Sequence, residues 1–589
     1  VKAVLLSALA AVVTSLVLTL AAERVAARLG IVARPRADRW HRQPVPLLGG
    51  VAIALGTVAG LGVADAWGRR IFVLVAGAAL MMAVGLLDDV RCLRPQTKLL
   101  AQVLLAGGLL LFGFELRLTG YRLLDTLLTL FWVVGVTNAF NLLDNMDGLA
   151  ATIALVAGAF RAYFFLQEGD LTGATTCAAF FGSVGGFLVR NFPPAKIFMG
   201  DAGSLFLGFF LAGVSISDPG AAYSRGLAAV LVIPVLLLLV PLFDTAFVTV
   251  TRLVAGRSPA MGGRDHTSHR LVAVGLSERR VVVLLAFFAT AAGAIAVLSY
   301  RVGLSYTVVL LALVLLAMVL LAIHLGRVQV ATSAPPRRPG AVLALIADFP
   351  YKRQVATVLL DAALIPTAYY AAYVLRFEQN LSDRLDAFTA SAPVVLVVQL
   401  STLTAFGLYR GIWRFTSLED LWRIGQAVAL GTLSAVFVLT HVQGFKGYSQ
   451  TVFILHGVLL FVFIGTARAS FRLLRYLLWE EPAGFLRVLI YGAGAGGELL
   501  LRELWSNLDL KRTPVGFVDD DRAKAATRIH GLPVLGGGED LERLVREYRI
   551  DEVIISSAKI GASTLEAARE VCARKGIPLR RAVLRLEAA

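Results

Sequence analysis

Apolar residues run through most of this chain in blocks of about 15–22, the length that lets a helix cross the hydrocarbon core of a bilayer. Eleven blocks precede residue 325, at roughly 3–22, 45–63, 71–87, 99–113, 123–137, 149–166, 172–189, 204–217, 226–243, 281–300 and 303–323. Four more follow near 355–374, 393–409, 424–441 and 451–466. From about residue 485, short apolar runs alternate with charged helical stretches, as in a soluble α/β domain. The pattern predicts a polytopic α-helical membrane protein of about eleven plus four transmembrane helices, followed by that domain. Four segments result: an eleven-span module (1–326), a linker rich in Pro and Arg (327–353), a four-span module (354–484) and the soluble segment (485–589). The first block is too long for a signal peptide and lacks its small-residue cleavage site, so it counts as structure.

Composition agrees: 57% of residues are hydrophobic and the mean hydropathy is +0.75. The net charge of +16 invites a nucleic-acid reading, but its placement excludes one. With the N-terminus outside, the loops facing the cytoplasm carry 25 Lys and Arg up to residue 466, and the opposite loops carry 10. That asymmetry is the positive-inside rule, so the charge sets topology. Fifteen spans then leave the C-terminal domain in the cytoplasm. Cys92, Cys177 and Cys572 have neither metal nor disulfide spacing.

Polar clusters interrupt the first module at five places: RPRADRWHRQPVPLLGG (34–50), LLDDV (86–90) with Lys98 after it, TNAFNLLDNMDGLA (137–150), KIFMGDAGS (196–204) and GGRDHTSHRL (262–271). All five fall on the cytoplasmic side, as does Asp244, so the clusters are expected to converge. Each has a plainer reading. Asp88–Asp89 can be a solvated helix end, Asn138 and Asn141 interhelical hydrogen-bond partners, and Gly200–Asp201 a turn or cap. His266 and His269 can be ordinary loop histidines.

Taken together, carboxylates at a membrane edge ask for a cation. Asp88, Asp89, Asp144, Asp147 and Asp201 offer the hard oxygens that Mg²⁺ takes, and Mn²⁺ is the alternative. Lys98, Lys196, Arg264, His266, His269 and Arg270 are groups that grip phosphate oxygens. Acids, metal and basic groups facing both cytosol and lipid describe phosphoryl-type transfer.

In their order, these motifs resemble those of the polytopic polyprenyl-phosphate N-acetylhexosamine-1-phosphate transferases of the bacterial cytoplasmic membrane. The resemblance covers about residues 1–325 and rests on Asp38 to Gly50, Asp88–Asp89, Asn138 to Leu149, Gly200 to Ser204 and His266 to Leu271. It implies transfer of a sugar-1-phosphate from a UDP-sugar to a polyprenyl phosphate, with release of UMP. It also implies catalytic roles for Asp88, Asp89, Asp201, His266 and His269. Asp201, with Asp88 and Asp89, would hold the metal. Lys98, Asn138, Asn141, Asp144, Asp147, Arg264 and Arg270 would contact substrate, and a homodimer is admitted. The first motif ends PLLGG rather than Pro-Arg-Gly-Gly, so Leu48 lacks a charge frequent there, and residues 46–48 receive no substrate contact.

In the soluble segment, RVLIYGAGAGGELLLREL (487–504) places Gly492, Gly494 and Gly497 between a strand and a helix. Asp519 lies 22 residues beyond Gly497. This is a Rossmann-like pattern, in which a nucleotide or nucleotide-sugar pyrophosphate meets the glycines and the acid meets the ribose. A ligand-free structural role remains the alternative. The four spans and this domain resemble the N-terminal half of membrane-bound capsule-type nucleotide-sugar epimerase/dehydratases. Tyr491 and Tyr548 have no Lys four residues on, so the module reads as accessory. Two rivals stand: a bifunctional transferase, and a lipid-linked-sugar flippase. The flippase predicts midplane charges and repeated halves. No repeat is evident, although Arg161 lies within a span.

Overall fold

The computed structural model describes residues 2–33, 44–91, 93–216, 226–254, 257, 263, 265–302, 304–326, 352–377, 381–409, 418–443, 448–478, 485–506, 510–524, 527–529, 532–556 and 561–582. Arg264, Cys92, most of the 327–353 linker and residues 34–43 of the first motif lie outside them. The chain divides into two compact units, Val1–Leu478 and Trp479–Ala589.

Among the described residues ten helices are long and apolar enough to cross a membrane, so this is a multi-pass membrane protein. The first module runs α1 (Lys2–Leu29), α2 (Gly49–Val63), α3 (Arg69–Arg91), α4 (Pro95–Leu111), α5 (Arg122–Leu143), α6 (Leu149–Gln167), α7 (Leu171–Asn191) and α8 (Gly200–Ser215). It continues through α9 (Gly226–Leu237), α10 (Leu239–Val254), α11 (Thr267–Ala273), α12 (Glu278–Val302) and α13 (Leu304–Leu325). A two-residue ribbon, β1 (Val32–Ala33) with β2 (Val45–Pro46), joins α1 to α2.

Several helices outrun their apolar blocks toward the polar clusters. Helix α3 continues to Arg91 and carries Asp88–Asp89 on its last turns, and α5 continues to Leu143 and carries Asn138 and Asn141. The single span expected over 226–243 is instead two helices meeting at Leu238. Pro234 lies inside α9, and the break follows it by one turn, with Leu238 N–H still donating to the Pro234 carbonyl at 3.1 Å. Helix α10 then extends past the apolar block and brings Asp244 and Arg252 into helical register.

Small residues let these helices touch by their backbones. A Cβ at Gly60 would stand 2.8 Å from the Ser7 carbonyl and 3.0 Å from Ala179 Cβ, so α1, α2 and α7 close tightly. Helix α8 is buried over almost its whole length, with Phe206 and Phe210 stacked on Phe180 of α7. Gly208 lets it lie on Thr137 of α5, and Gly85 lets α3 press on the backbone of Asp201.

Helices α14 (Lys352–Phe377), α15 (Leu385–Ala405), α16 (Leu418–Gln443) and α17 (Gln450–Leu478) form a module with its own apolar core. A buried ion pair ties α14 to α17, with Arg468 Nη2 2.8 Å from Asp361 Oδ2. Arg468 also donates to the Leu408 carbonyl at 2.9 Å.

In the second unit the strands are β3 (Leu486–Tyr491), β4 (Arg512–Val518), β5 (Arg528–Ile529), β6 (Leu532–Gly536), β7 (Glu552–Ile555) and β8 (Leu579–Arg581). Their order is β5-β6-β4-β3-β7-β8, and only β5 is antiparallel. The parallel strands therefore follow the order of a dinucleotide-binding half, spreading to both sides of the first strand. Helices α18 (Ala495–Ser506), α19 (Leu541–Glu547) and α20 (Ala562–Lys575) complete the α/β pattern.

Gly85→Val should destabilise the first module by about 1–3 kcal/mol, because its side chain must push α3 off the backbone of α8. Gly62→Ala, with nothing within 4 Å of the added Cβ, should leave thermal unfolding in neutral detergent unchanged or slightly raised.

Candidate active site

The site is built on the buried start of α8. Gly200 opens this helix at φ +68°, a left-handed conformation that favours glycine, and a Cβ there would run into the Asp89 carboxylate. Phe198 N–H donates to the Pro46 carbonyl at 2.8 Å. Gly49 and Gly50 N–H donate to the carbonyls of Phe198 and Met199 at 3.0 and 3.1 Å. The PLLGG segment thus braces the Gly200 turn through its backbone, which needs no charge at Leu48.

Asp89 caps the helix. Its Oδ1 accepts the Asp201 N–H at 2.9 Å and its Oδ2 the Ala202 N–H at 3.1 Å. A helix start has four N–H groups without intrahelical partners, and this carboxylate satisfies two of them.

Asp88 and Asp201 meet on an ammonium. Lys98 Nζ, from the first turn of α4, lies 2.7 Å from Asp88 Oδ2 and 2.6 Å from Asp201 Oδ2. Asn141 Nδ2 donates to Asp201 Oδ1 and to Ser204 Oγ, each at 3.0 Å. Asp88 Oδ1 also accepts the Leu93 N–H at 2.5 Å. Four helices, α3, α4, α5 and α8, therefore supply one polar node. The Asp201 side chain is 33% exposed and that of Asp88 13%, so the node opens mainly on the Asp201 side.

The expected Asp88–Asp89–Asp201 metal trio is not a converged cage. Among the described residues no three His, Cys, Asp or Glu side chains gather around one point. Two carboxylates beside an amide and a hydroxyl still suit Mg²⁺, which takes one or two protein carboxylates and completes its shell with water and phosphate. Asp201 and Asp88 fit that role; Asp89 is engaged with backbone.

The other amides and acids divide by function. Asn138 and Gln102 exchange hydrogen bonds at 2.7 and 3.1 Å and tie α5 to α4. Asp147 Oδ2 accepts the Ala195 N–H at 2.8 Å, and Asp144 caps the end of α5, half-buried. Ser268 Oγ donates to Asn145 Oδ1 at 2.5 Å, which draws α11 against the DNMDG turn. The clusters at 86–98, 137–150, 196–204 and 262–271 are thereby linked, together with the Pro46–Gly50 end of the first.

Helix α11 owes its placement to Asp244, which is buried. Asp244 Oδ1 accepts the Thr267 N–H and Oδ2 faces His266 Nδ1, both at 2.8 Å. A carboxylate at Nδ1 favours the tautomer with the proton there and leaves Nε2 as the acceptor nitrogen of the neutral ring. The ring centroid of His269 stands 6.1 Å from that of His266. Arg270 faces inward: Nε donates to the Asp265 carbonyl at 2.9 Å and Nη1 to the Leu325 carbonyl at 2.8 Å. Arg252 grips Asp265 through two bonds, at 2.9 and 2.7 Å. Burial pushes the Asp265 carboxyl up, but the Arg252 guanidinium outweighs it and holds the group below its ordinary range. Gln102, Ser204, Asp244, Arg252 and Asp265 were not anticipated as parts of the site. For Asp244 the signal was present: an acid closing an apolar run.

In the second unit the glycine turn has the expected form. Gly492 adopts φ +107°, and a Cβ at Gly497 would strike the Gly492 carbonyl. Gly494 faces open space. Asp519 is spent on the turn itself, accepting from the Ala493 N–H at 2.7 Å, the Asp521 N–H at 3.0 Å and Lys524 Nζ at 3.1 Å. Burial pushes its carboxyl up, yet these donors prevail and hold it below the usual range.

A family model described as glycosyl transferase family 4 matches residues 71–218, and one described as a CoA-binding domain matches residues 404–558. The probable undecaprenyl-phosphate N-acetylglucosaminyl 1-phosphate transferase of Bacillus subtilis is 34% identical over 287 residues, 46% of this chain and 78% of the relative. The decaprenyl-phosphate N-acetylglucosaminephosphotransferase of Mycolicibacterium smegmatis is 34% identical over 297 residues, 44% of this chain and 73% of its own length. The undecaprenyl-phosphate alpha-N-acetylglucosaminyl 1-phosphate transferase of Escherichia coli is 27% identical over 293 residues, 47% and 79% of the two chains.

The geometry separates two neighbouring acids by experiment. Asp89→Ala should lower stability by about 1–2 kcal/mol, because two N–H groups of α8 lose their acceptor. Asp201→Ala, which removes no backbone bond, should unfold near the parent temperature. Thermal unfolding of both variants in neutral detergent checks the difference.

Proposed function

The chain belongs to glycosyl transferase family 4, and from that membership we infer that it passes a sugar-1-phosphate from a UDP-sugar to a polyprenyl phosphate, releasing UMP. The relatives' names make UDP-N-acetylglucosamine the first donor to try. The observation that carries the site assignment is the meeting of Asp88 and Asp201 on Lys98 at the ends of apolar helices. In a bacterial cytoplasmic membrane, with the N-terminus outside, this node faces the cytosol, where the UDP-sugar is, and would start cell-envelope glycan synthesis. A flippase would keep its ionisable groups along a path through the midplane, whereas these lie at helix ends.

A phosphate monoester has a second pKa near 6, so the acceptor lipid is largely dianionic and needs positioning more than a base. One of its oxygens attacks the sugar-bearing phosphorus in line. That P–O bond forms as the bond to the bridging oxygen breaks, and the electron pair leaves with UMP. No proton has to move. Lys98, released from one carboxylate, is placed to meet phosphate oxygens, and His266 would do so as an imidazolium, donating through Nε2 while Nδ1–H stays on Asp244. Asp201 with Asp88 would hold Mg²⁺, or Mn²⁺, which when bound would neutralise charge on the donor's diphosphate as UMP leaves. Asp89, Asn138, Asp147 and Arg270 position the elements around them.

Residues 1–326 then hold the transferase, and residues 354–484 and 485–589 an accessory module. The open face at Gly494 and the CoA-binding description both favour a phosphate-bearing nucleotide ligand there, with CoA and UDP-sugars as the two classes to separate.

Asp201→Asn and Asp88→Asn should each lower Mg²⁺-dependent UMP release at least a hundredfold, an effect on the scale of losing one electrostatic stabiliser. Purified protein with polyprenyl phosphate and a UDP-sugar panel gives the readout; near-parental release by both variants would remove the site assignment. Gly494→Val in the full chain should abolish calorimetric binding of CoA, or reduce UDP-sugar binding to that of the transferase node alone, while UMP release persists, because a side chain there blocks the pyrophosphate.

A further inference from the structure

We propose that the α3–α8 pair carries a second ligand site at the end opposite the carboxylates, a cavity that takes the phosphate headgroup of an anionic lipid. The two helices run antiparallel: Gly85 of α3 meets Asp201 of α8, Gly77 meets Phe209, and Leu74 meets Gly213. The rise of α3 from Asp88 back to Arg69 is about 30 Å, the thickness of a hydrocarbon core. A cavity of about 390 Å³ lies at that far end, within the size range of small-molecule sites.

Its lining has two characters. Arg69, Arg70 and Thr172 are exposed at the mouth, while Leu74, Phe165 and Val214 form an apolar wall. Asp170 also lines it, but its Oδ1 accepts the Gly173 N–H at 2.8 Å and caps α7. Behind the wall sits Arg161, the one basic residue buried inside α6. Its guanidinium lies 3.9 Å from the Phe165 ring centroid, and its Nε faces the Val214 carbonyl at 3.4 Å, so it is held by two of the wall residues. An arginine within a span is costly. Here it adds positive potential behind an apolar surface whose rim is already basic.

That combination selects the ligand. A free anion would use the arginines and leave the apolar wall wet, and a neutral lipid would do the reverse. A lipid phosphate satisfies both, with its headgroup at the mouth and its first methylenes against Leu74 and Phe165. The site contains none of the residues assigned to transfer, so its failure and that of the transfer reaction are separable.

Native mass spectrometry of the full-length protein in neutral detergent provides the test, with dioleoyl phosphatidylglycerol, dioleoyl phosphatidylcholine and inorganic phosphate as probes. The protein should retain phosphatidylglycerol preferentially. The double variant R69Q/R70Q should weaken that retention about tenfold or more, since each basic group near a membrane surface contributes appreciably. Thr172→Trp should block it by filling the mouth without removing charge. Both variants should keep UMP release, which reports that they fold. Equal retention of phosphatidylglycerol by the parent and both variants would overturn the proposal. So would equal retention of the two lipids, or binding of inorganic phosphate with no gain from a lipid tail.

Discussion

Asp89 accepting two backbone N–H groups at the buried start of α8 is the interaction on which the rest of the first module depends. A helix that begins inside a membrane protein cannot leave its first N–H groups to water, and one left without an acceptor there lowers stability. Supplying a carboxylate from α3 requires the last turns of α3 to touch the first turn of α8. Gly85 and Gly200 make that approach sterically open, and Gly50 does so from the other side. Once the contact exists, the direction of Asp88 follows. Neighbouring residues on an α-helix point about 100° apart. With Asp89 turned to α8, Asp88 turns to α4 and meets Lys98. The paired acids therefore do two jobs, one holding the helix and one meeting the Lys98 ammonium.

The charge left at the node is compatible with substrate chemistry. Two carboxylates share one ammonium, so the described node carries one unit of negative charge when all three groups are ionised. A bound dication would reverse that sign and prepare the node for a diphosphate. Lysine suits the place because its ammonium is a compact charge on a flexible stem, able to leave a carboxylate for a phosphate oxygen without disturbing the fold. The Asp244–His266 pair brings a second polar element to the same side, with α11 tied to the DNMDG turn through Ser268 and Asn145.

Much of this was legible in the sequence. The apolar blocks located the spans, and the polar clusters at their ends located the carboxylate node. The Gly492–Gly497 spacing located the nucleotide-type turn. The periodicity of Asn138 and Asn141 was helical, and they do extend α5. Less legible was anything decided by contacts between distant segments. The α9–α10 break at Leu238 was hidden by apolar residues on both sides. Gln102 sits in an apolar helix and becomes meaningful only opposite Asn138. Arg270 was expected at a phosphate and instead donates to two carbonyls, because α11 is short and its inward face is buried. Asp244 is twenty-two residues from His266 in sequence and Arg252 is thirteen from Asp265, and only the return of the chain onto α10 joins either pair.

Composition alone also does not reveal which acid is available to a ligand, and here the hydrogen bonds decide. Asp89 is committed to α8, Asp147 to Ala195, Asp170 to the start of α7 and Asp244 to Thr267. Asp519 is committed in the same way to its own glycine turn. Each of these carboxylates replaces a missing backbone partner, so moving it would expose a buried N–H. Asp265 and Asp361 are held by guanidinium groups in buried pairs that are expensive to break from one side. Asp201 differs in kind. Its carboxylate is met by the Lys98 ammonium and the Asn141 amide, both on side chains that can turn away, and it is a third exposed. An acid fixed at its backbone by a capped helix, but free at its oxygens to exchange partners, can take up and release a ligand without loosening the fold that positions it.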